Sequence, residues 1–385
     1  MAGIIVHEWL EAHGGAEQVL EQMALTFPDA PIQALWNDVP DRFSPARVRE
    51  TWLARTSLRK SKSLAVPLMP SVWRNLGTAE ADWLLCSSHL FGHHARFQGA
   101  ARDAPKFVYA HTPARYIWTP ELDARGNSVL VRAASVGLRA LDRARAQEAF
   151  AIAANSSFVR DRIAQCWDRD AVVIYPPVNV GAFSGGPATD LMTPQELEIV
   201  ANLPPEYILG ASRFVPYKRL EDVITAGNAA GVPVVLAGAG PSREKLEAFA
   251  SNSRVPVTFL DRPSHLLLVE LFRNAIAYIF PPIEDFGIMP VEAMAVGTPV
   301  IANVKGGAAE SVLDGVTGTL VEDFSGAAIR DAISAAEGMD RNRCRSRAME
   351  FDESIFREKV RNWVTEGIAE TRGEVLEDRK DSITN

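Results

Sequence analysis

Short runs of apolar residues alternate with amphipathic segments along most of the chain. In the first half, residues 4–6, 83–86, 107–110 and 172–175 form short apolar runs that are partly β-branched, which predicts buried strands. A helical pattern over residues 17–25 separates the first two runs. Strands that alternate with helices predict right-handed βαβ crossovers and therefore parallel sheets.

The alternation is interrupted near the middle of the chain. Residues 175–179 contain two adjacent prolines, and residues 184–194 are rich in Gly, Pro and Thr, which predicts a linker. Strand-like runs then resume at 207–211, 234–237, 257–260, 277–280 and 299–302. The pattern predicts an α/β protein with two doubly wound parallel-sheet, Rossmann-like domains. Their predicted bounds are 1–180 and 206–350, with a linker at 181–205 and terminal helices within 351–385.

Composition and charge narrow the class of protein. A chain of 385 residues exceeds the usual size of one hydrophobic core, and 47% hydrophobic with 23% charged residues is typical of a globular protein. The formal net charge of −8 disfavours nucleic acid as the main partner. Cys86, Cys166 and Cys344 lie far apart without CxxC spacing, so neither a disulfide framework nor a zinc site is indicated. The chain has no run of eighteen apolar residues and no signal-peptide pattern, which predicts a cytoplasmic protein.

Ligands of parallel sheets bind beyond the carboxyl ends of the strands, so the loops that follow strands are the candidate sites. Arg213 and Lys218 lie five residues apart in the loop after the run 207–211. A guanidinium and an ammonium group at a strand exit suit a diphosphate, although solvated cations beside a turn are the alternative. The next such loop contains Gly238 in a Gly-Ala-Gly-Pro turn, of a kind that often serves only strand-to-helix packing.

A third loop carries two carboxylates eight residues apart, Glu284 and Glu292. Residues 280–282 end a strand, and Pro290 suits the first turn of a helix, where its missing N–H costs nothing. Glu284 is therefore predicted on the loop and Glu292 inside the helix.

The residues between these carboxylates form a predicted anion site. Backbone amides around Gly287, Ile288 and Met289 begin the helix, and free N–H groups with the helix dipole attract a phosphate there. An acid/base pair would have to face one bond across roughly 5 to 10 Å, which does not fit this arrangement. We expect each carboxylate to bind hydroxyls at a different end of one ligand. The alternative is a solvated loop residue and a charge that stabilises the helix N-terminus.

Three histidines follow the predicted strand 83–86. His89 and His93 have the i, i+4 spacing of a zinc site on a helix, and His94 is adjacent. No third ligand or HExxH pattern accompanies them, so a structural or acceptor-loop role is favoured over metal binding.

The motifs follow one another in an order that resembles a known family. The succession comprises Arg213 with Lys218, Gly238-Ala239-Gly240-Pro241, Glu284 with Glu292, the stretch 293–301, and Gly306-Gly307 with Glu310. It resembles glycosyltransferase family 4, whose members are retaining enzymes of the GT-B fold, with two Rossmann-like domains facing a central cleft. Residues 7–17 match the family's first loop, and residues 111–118 resemble a loop of its bacterial mannosyltransferases.

The resemblance implies a role for each matched residue. Arg213 and Lys218 would bind the nucleotide diphosphate, Glu284 the hydroxyls of the transferred sugar, and Glu292 the ribose. His111 would face the donor sugar. These implications make Glu284, His111, Arg213 and Lys218 the predicted catalytic residues, and no metal ion or cofactor is implied.

Other matched residues would complete the donor site. Gly14 and Gly15 would let backbone approach the donor phosphates, and Gly238 would belong to the same site. Pro263, with Asp261 and Arg262, would hold the base, although the family more often has Gly at the position of Asp261. Phe286, Gly287, Ile288 and Met289 would line the site from the third loop.

The implied function is transfer of a hexose with retention of configuration. The mannosyltransferase-like loop favours GDP-mannose as donor, with UDP-sugars as the alternative. A lipid-linked or glycan acceptor of envelope polysaccharide synthesis would bind the first-domain loops, and the terminal helices would cross back over the cleft. A nucleotide-sugar epimerase of the same fold, and a non-catalytic two-lobed sugar- or nucleotide-binding protein, are the alternatives.

A basic stretch at 42–74 stands out in an otherwise acidic chain. Its cations are Arg42, Arg47, Arg49, Arg55, Arg59, Lys60, Lys62 and Arg74, against the single Glu50. Its interleaved apolar residues are Trp52, Leu53, Leu58, Leu64, Val66, Leu68, Met69 and Trp73. The mixture predicts contact with an anionic membrane surface on the inner face of the membrane. The alternative is that the apolar residues pack inward and the cations are solvated.

Overall fold

The structure is a computed structural model that describes residues 1–12, 14–118, 129–183, 185 and 189–373. Its internal contacts divide the chain into two compact units. Unit 1 comprises Met1–Pro177 and the segment that begins at Ser354, and unit 2 is Val178–Glu353. Each unit is built around one parallel sheet, so the predicted α/β class with two doubly wound sheets is confirmed.

The sheet of unit 1 has seven parallel strands in the order β3-β2-β1-β4-β5-β6-β7. They are β1 Gly3–His7, β2 Ile32–Ala34, β3 Val48–Glu50, β4 Trp83–Ser88, β5 Lys106–Ala110, β6 Ala151–Ala154 and β7 Val172–Val173. Successive residues of β1 enter two different cores: Ile4 and Val6 pack in one, and Ile5 packs in the other. Because both faces are buried, the strands are continuous apolar runs rather than alternating ones.

One helix of unit 1 comes from the far end of the sequence. The described helices of this unit are α1 Gly15–Thr26, α2 Lys62–Ala65, α3 Met69–Trp73, α4 Arg115–Trp118, α5 Val129–Ala146, α6 Ser157–Trp167 and α16 Glu353–Thr371. In α16, the apolar residues Phe356, Val360, Val364 and Ile368 share one face through their four-residue spacing. That face is buried in the same core as Ile5, which attaches the C-terminal segment to unit 1.

The sheet of unit 2 has six parallel strands in the order β10-β9-β8-β11-β12-β13. They are β8 Ile208–Ala211, β9 Val234–Ala237, β10 Val257–Leu260, β11 Ala277–Phe280, β12 Val300–Asn303 and β13 Gly318–Val321. The helices are α7 Val180–Phe183, α8 Pro194–Ala201, α9 Leu220–Ala230, α10 Arg243–Ala250, α11 His265–Asn274, α12 Ile288–Ala295, α13 Ala308–Ser311, α14 Gly326–Glu337 and α15 Arg341–Met349. No helix among the described residues is both long and apolar enough to cross a membrane.

The segment 181–205 differs from the predicted linker. It contains α8 and lies within unit 2, and the unit boundary falls after Pro177 rather than at residue 180. Ser264, the N-cap of α11, donates a hydrogen bond to Glu196 of α8, and His265 Nε2 lies 3.2 Å from the carbonyl oxygen of Ala182. These contacts attach the segment to α11, so it is a part of the second unit and not a free connection.

Both sheets reverse their strand order at one point. In unit 1 the reversal lies between β1 and β4, and in unit 2 it lies between β8 and β11. The connections leave the sheet in opposite directions at such a switch point, which opens a crevice at the carboxyl ends of the two strands. His7 ends β1 and Ser87 is the second-last residue of β4, while Arg213 follows β8 and Glu284 follows β11. The topology therefore brings polar residues together at the switch point of each unit.

Candidate active site

In unit 2, the loop after β8 holds both predicted phosphate-binding cations. Arg213 is exposed, and its guanidinium donates a hydrogen bond of 2.8 Å to the hydroxyl of Tyr217. Lys218 ends the 3₁₀ turn Pro216–Lys218, and its side chain is only 13% exposed. The two cations thus differ, because Arg213 is open to solvent and Lys218 is directed into the crevice.

The loop after β11 meets Lys218 directly. The ammonium group of Lys218 donates a hydrogen bond to Glu284 Oε1, and the Glu284 side chain is 18% exposed. The carbonyl oxygen of Glu284 accepts a hydrogen bond of 2.8 Å from the backbone N–H of Gly307. The loop after β8 therefore holds the side chain of Glu284 through Lys218, and the loop after β12 holds its backbone through Gly307.

Helix α12 begins directly after this loop. Gly287 is its N-cap with φ +88°, a left-handed conformation that favours glycine, and Ile288 and Met289 are its first two residues. No side chain caps this end of the helix, so the first N–H groups are available to an anion. Phe286 is buried with its ring 5.6 Å from that of Phe351, so its side chain belongs to the core.

Glu292 lies in the second turn of α12 and is half-buried. Burial raises the pKa of its carboxyl to about 7. Both Glu292 and Glu284 influence Tyr278 of β11: burial first, and then the charges of these two carboxyl groups, hold the pKa of the Tyr278 hydroxyl well above its usual range. The two carboxylates are thus near the same strand but have different surroundings.

Two further predicted residues lie in neighbouring loops of unit 2. Gly238 follows β9 with φ +140°, and a Cβ there would lie 1.9 Å from the carbonyl oxygen of Ser212. Packing between the loops after β8 and β9 is therefore sufficient to explain this glycine. Pro263 follows β10 and directly precedes Ser264, the N-cap of α11.

In unit 1, the predicted glycines begin the first helix. Gly14 is the N-cap of α1 and Gly15 its first residue, while His13 lies outside the described residues. The carboxylate of Glu17 lies against Gly14, and burial raises the pKa of this carboxyl group. A phosphate at this helix N-terminus would have to displace Glu17 or share the site with it.

His111 follows β5 and belongs to a row of three side chains. Ser87 Oγ lies 3.0 Å from His7 Nδ1 on one side and 2.9 Å from His111 Nε2 on the other. Burial, and then the nearby charge of His89, lower the pKa of His111 to about 3. Burial, followed by His89 and His111, holds the pKa of His7 well below its usual range. Both rings are therefore neutral at pH 7.

Beside this row, the buried Glu8 organises the loop that follows β4. Its Oε1 accepts hydrogen bonds from the backbone N–H groups of His89, Leu90 and Gly92 at 3.1, 2.9 and 2.8 Å. Its Oε2 lies 3.3 Å from His89 Nδ1. Glu8 thus fixes His89, whose ring centroid is 6.1 Å from that of His111.

The structure groups the histidines differently from the sequence prediction. His93 and His94 lie in a 3₁₀ turn, Gly92–His94, and both approach Oδ1 of buried Asp142, at 3.2 and 3.1 Å. Asp142 Oδ2 accepts hydrogen bonds from the indole N–H groups of Trp118 and Trp167 at 2.8 and 2.6 Å. Burial alone would raise the pKa of Asp142, but the two histidines hold it well below its usual range.

This Asp142 network is better explained as structural than as a metal centre. His93, His94 and Asp142 are the three potential ligands found together among the described residues, and a closed zinc site needs four. His89 is not one of them. Because Trp118 ends the segment 111–118, the network instead anchors that segment to the turn that follows β4.

Sequence reasoning missed Ser87, Asp142, Tyr217 and Tyr278. Ser87 had a signal, because polar residues at the end of an apolar strand indicate the ligand-binding edge. No sequence signal identified Asp142, Tyr217 and Tyr278. Their contacts are made with residues distant in sequence or depend on the direction in which a side chain points.

Comparison with known proteins identifies the second unit. Residues 195–351 match the family glycosyl transferases group 1, so this part of the chain is a group 1 glycosyltransferase domain. The D-inositol 3-phosphate glycosyltransferases of Mycobacterium tuberculosis H37Rv and Mycobacterium bovis are each 34% identical over 175 residues, which cover 42% of this chain and 35% of those proteins. The match thus spans about a third of the length of these curated relatives.

Solved structures resemble nearly the whole chain. HepE of Anabaena in complex with UDP has a TM-score of 0.70 and 19% identity, over 94% of this chain and 100% of that one. Sucrose-phosphate synthase from Thermosynechococcus elongatus has a TM-score of 0.70 and 17% identity, over 96% and 100%. These likenesses confirm the predicted GT-B fold.

Proposed function

We propose that this chain is a retaining, metal-independent glycosyltransferase that moves a hexose from a nucleotide sugar to a lipid-linked or glycan acceptor. One observation carries the proposal. Within the group 1 glycosyltransferase domain, the Lys218–Glu284 pair lies at the switch point and is followed directly by the uncapped N-terminus of α12. This arrangement offers an ammonium group and free N–H groups to a diphosphate, and a carboxylate to sugar hydroxyls.

Charge development explains how these groups would accelerate transfer. As the glycosidic bond breaks, the sugar becomes oxocarbenium-like and the leaving diphosphate gains negative charge. Lys218, Arg213 and the N-terminus of α12 would stabilise that charge more in the transition state than in the ground state. The acceptor hydroxyl would attack from the face that the diphosphate leaves and give its proton to a phosphate oxygen, which retains configuration. These fixed positive groups take the place that a metal ion would otherwise fill.

GDP-mannose is the proposed donor, because segment 111–118 resembles a loop of bacterial mannosyltransferases. The structures of HepE with UDP and with UDP-glucose favour a UDP-sugar as the alternative donor. A thermal-shift comparison separates the two, since stabilisation by a ligand follows its affinity for the folded state. GDP is expected to raise the melting temperature more than UDP at equal concentration. A larger shift with UDP would replace the GDP assignment.

The proposed acceptor side includes a cavity of unit 1 beside the basic stretch. The cavity has a volume of about 630 Å³ and is lined by Glu11, Asp38, Arg59, Lys60, Lys62 and Ser63. Lys60 has no carboxylate partner among the described residues, whereas Arg59 is paired with Asp38 and Lys62 with Glu11. The diphosphate of a lipid-linked acceptor used in envelope polysaccharide synthesis at the inner face of the membrane would bind Lys60 and compete with the two carboxylates for the other cations. The relatives named for D-inositol 3-phosphate supply an alternative, a soluble phosphorylated acceptor.

Product analysis tests the proposal against its two rivals. Purified protein with labelled GDP-mannose and a cell-envelope lipid extract is expected to yield labelled glycolipid and GDP, and addition of EDTA should not reduce the yield. An epimerase would convert the donor without acceptor, and a binding protein would leave it unchanged. Glu284→Ala should abolish transfer while it largely spares GDP binding, because the carboxylate contacts sugar rather than nucleotide. Donor consumption by this variant at the original rate would contradict the assignment.

A further inference from the structure

Three neighbouring strands of unit 1 present one continuous row of side chains. His7 and Ser87 are paired residues of β1 and β4, and His111 directly follows β5, the strand next to β4. The backbone N–H of His111 donates a hydrogen bond of 2.8 Å to the carbonyl oxygen of Ser88, which fixes where His111 leaves the sheet. The row His7–Ser87–His111 is therefore positioned by the register of the sheet and not by a flexible loop.

The hydroxyl of Ser87 can donate only one hydrogen bond, so the position of the proton on one histidine ring determines its position on the other. Ser87 Oγ lies 3.0 Å from His7 Nδ1 and 2.9 Å from His111 Nε2, so both contacts are hydrogen bonds. Each ring is neutral at pH 7, because burial lowers the pKa of both histidines. A neutral imidazole donates through one nitrogen and accepts through the other. If Ser87 donates to one ring, the other ring must donate to Ser87.

The far side of His7 decides between the two arrangements. His7 Nε2 is buried and has no hydrogen-bond partner among the described residues. A buried N–H without an acceptor is less tolerated than an acceptor without a donor. The proton of His7 therefore belongs on Nδ1, from which it is donated to Ser87. Ser87 then donates to His111 Nε2, and His111 carries its own proton on Nδ1.

We propose that His7 and Ser87 are positioning residues that hold His111 as its Nδ1–H tautomer, so that His111 donates a hydrogen bond to an oxygen of the transferred sugar. The inference rests on the proposed function for its ligand, but the proton order rests on this row alone. His111 is half-buried, and Nδ1 is the ring nitrogen that Ser87 leaves open. Held in this way, His111 recognises a sugar oxygen as a neutral donor and does not act as a general base.

The tautomer can be read directly by NMR on the full chain. The chain has seven histidines, so ring-¹⁵N-labelled protein would be compared with His111→Asn to assign the signals of His111. We expect a neutral Nδ1–H ring at pH 7 without any ligand. Ser87→Ala should shift His111 to the Nε2–H tautomer that free histidine prefers, and Ser87→Thr, which keeps the hydroxyl, should not.

A second pair of variants tests the row from its other end. His7→Asn keeps an N–H donor near the position of Nδ1 and should preserve the Nδ1–H tautomer of His111. His7→Leu removes the donor, which frees Ser87 to accept from His111 and should produce the Nε2–H form. This pair also remains informative if Ser87→Ala does not fold. A wild-type His111 with its proton on Nε2, or a tautomer unchanged in His7→Leu or Ser87→Ala, would overturn the inference.

Transfer kinetics separate this inference from the proposed function. Loss of one hydrogen bond to the sugar in Ser87→Ala should reduce kcat/KM by about tenfold or more, with GDP affinity unchanged. Transfer by wild-type protein with an Nε2–H His111 refutes the inference and leaves the proposed function standing. An Nδ1–H His111 in a protein that transfers no sugar from any nucleotide refutes the proposed function and leaves the proton order of the row standing.

Discussion

Glu284 and Glu292 have the same side chain, but their surroundings give them different chemistry. Glu284 forms an ion pair with Lys218. Glu292 has no ion-pair partner among the described residues, and burial raises the pKa of its carboxyl group to about 7. A group that changes charge near neutral pH couples its proton to any ligand that needs one charge state. If Glu292 binds the donor, as proposed, it would therefore link donor binding to pH.

The first prediction follows from this linkage. If the Glu292 carboxylate accepts hydrogen bonds from the ribose hydroxyls, the nucleotide binds the ionised form. Binding of GDP should then release a proton near pH 7, and affinity should rise between about pH 6 and pH 8 before it levels. Calorimetric titrations in buffers with different ionisation enthalpies measure the released protons.

Glu292→Gln is the matched control for that experiment, because it keeps the size of the side chain but cannot titrate. It should bind GDP more weakly and release no proton. Proton release of the same size in this variant would assign the linkage to another group, and proton uptake by the wild-type protein would contradict the role of the carboxylate.

The second prediction concerns Lys218. Because its ammonium group would meet charge that grows in the transition state, Lys218→Met should lower kcat by roughly 10²- to 10³-fold, as for other electrostatic stabilisers. Lys245→Met is the control, since Lys245 is a largely exposed cation paired with Glu221 on the same unit. Single-turnover transfer assays compare the two. A Lys218→Met enzyme as fast as Lys245→Met would rule out this stabilising role.

At the scale of residues, the sequence predicts which loops carry polar residues better than it predicts which of these residues contact one another. The loop positions of Arg213, Lys218 and Glu284 were predictable because each residue lies in a loop that follows an apolar strand. The Lys218–Glu284 pair was not, since it joins loops 66 residues apart whose proximity depends on strand order. Ser87 and His7 are 80 residues apart and meet through the register of β1 and β4, which no local pattern encodes.

At the scale of elements, apolar runs identify the central strands of each sheet and the edge strands β7 and β10, but they miss several others. The pattern misses β2 and β3, which have three residues each, and β6, in which three of four residues are alanine. It also misses β13, which begins with Gly318 at the edge of its sheet. Short, alanine-rich or edge strands bury too little branched apolar surface to be distinguished from loops. The predicted strand 172–175 shortens to Val172–Val173 for the same reason.

At the same scale, the structure divides the cations of the basic stretch 42–74 into two groups, those engaged within unit 1 and those exposed to solvent. Five of its cations are engaged within unit 1: Arg42 with Glu21, Arg47 with helix carbonyls, Arg59 with Asp38, Lys62 with Glu11 and Arg74 with Glu148. Arg49, Arg55 and Lys60 are exposed, with no side-chain partner among the described residues. Leu53, Met69 and Trp73 pack inward, whereas Trp52, Leu64 and Leu68 are 54%, 67% and 40% exposed.

The third prediction is that the exposed part of this stretch binds an anionic membrane surface. Protein should sediment with anionic liposomes at low salt and be released as salt is raised, because each exposed cation contributes about 1 kcal/mol near such a surface. Replacement of Arg49, Arg55 and Lys60 by Ser should weaken this binding.

Replacement of Lys245, Arg254 and Arg330 by Ser is the matched control, since it removes the same charge from exposed positions of unit 2. It should leave liposome binding nearly unchanged. Equal losses in the two triple variants would mean that net charge, and not this surface, governs the association. Protein that stays in the supernatant at low salt would favour a soluble acceptor.

At the scale of the whole molecule, the repeated alternation predicts two sheets, and both units share the core order 3-2-1-4-5-6 when their strands are counted from their own first strand. The division between units is less predictable. Proline- and glycine-rich sequence around residues 184–194 resembles a linker, yet Thr193 and Glu196 form a capping box with Pro194 at the first helical position. That local signal for α8 outweighs composition, and contacts with α11 place the segment in unit 2.

The last prediction concerns acid stability, to which three histidines of unit 1, two buried and one half-buried, contribute in the same direction. His7, His94 and His111 have lowered pKa values, about 4 for His94 and about 3 for His111, and burial is the main cause in each. Between the unfolded pKa of about 6.5 and the folded values, the unfolded chain binds protons that the folded unit does not. Their stabilising contribution is complete above pH 6.5 and is lost as pH falls towards 4. His94 alone accounts for about 3 kcal/mol, because one pKa unit corresponds to about 1.4 kcal/mol.

The carboxyl groups around them do not remove this trend. Glu17 and Glu292 have raised pKa values, so their effect on stability opposes that of the histidines as pH falls. Of these two, Glu292 belongs to unit 2. Asp142 has a lowered pKa and adds to the loss of stability of unit 1 only at lower pH. Unit 1 should therefore unfold before unit 2 as pH falls from 6.5 to 4, and urea unfolding followed by hydrogen exchange can assign the order. His94→Gln should be less stable than wild type at pH 7.5 but should lose less further stability by pH 4, since one titrating ring is gone. A wild-type stability that stays constant across this range, or a unit 2 that unfolds first, would show that the buried rings do not control the acid response.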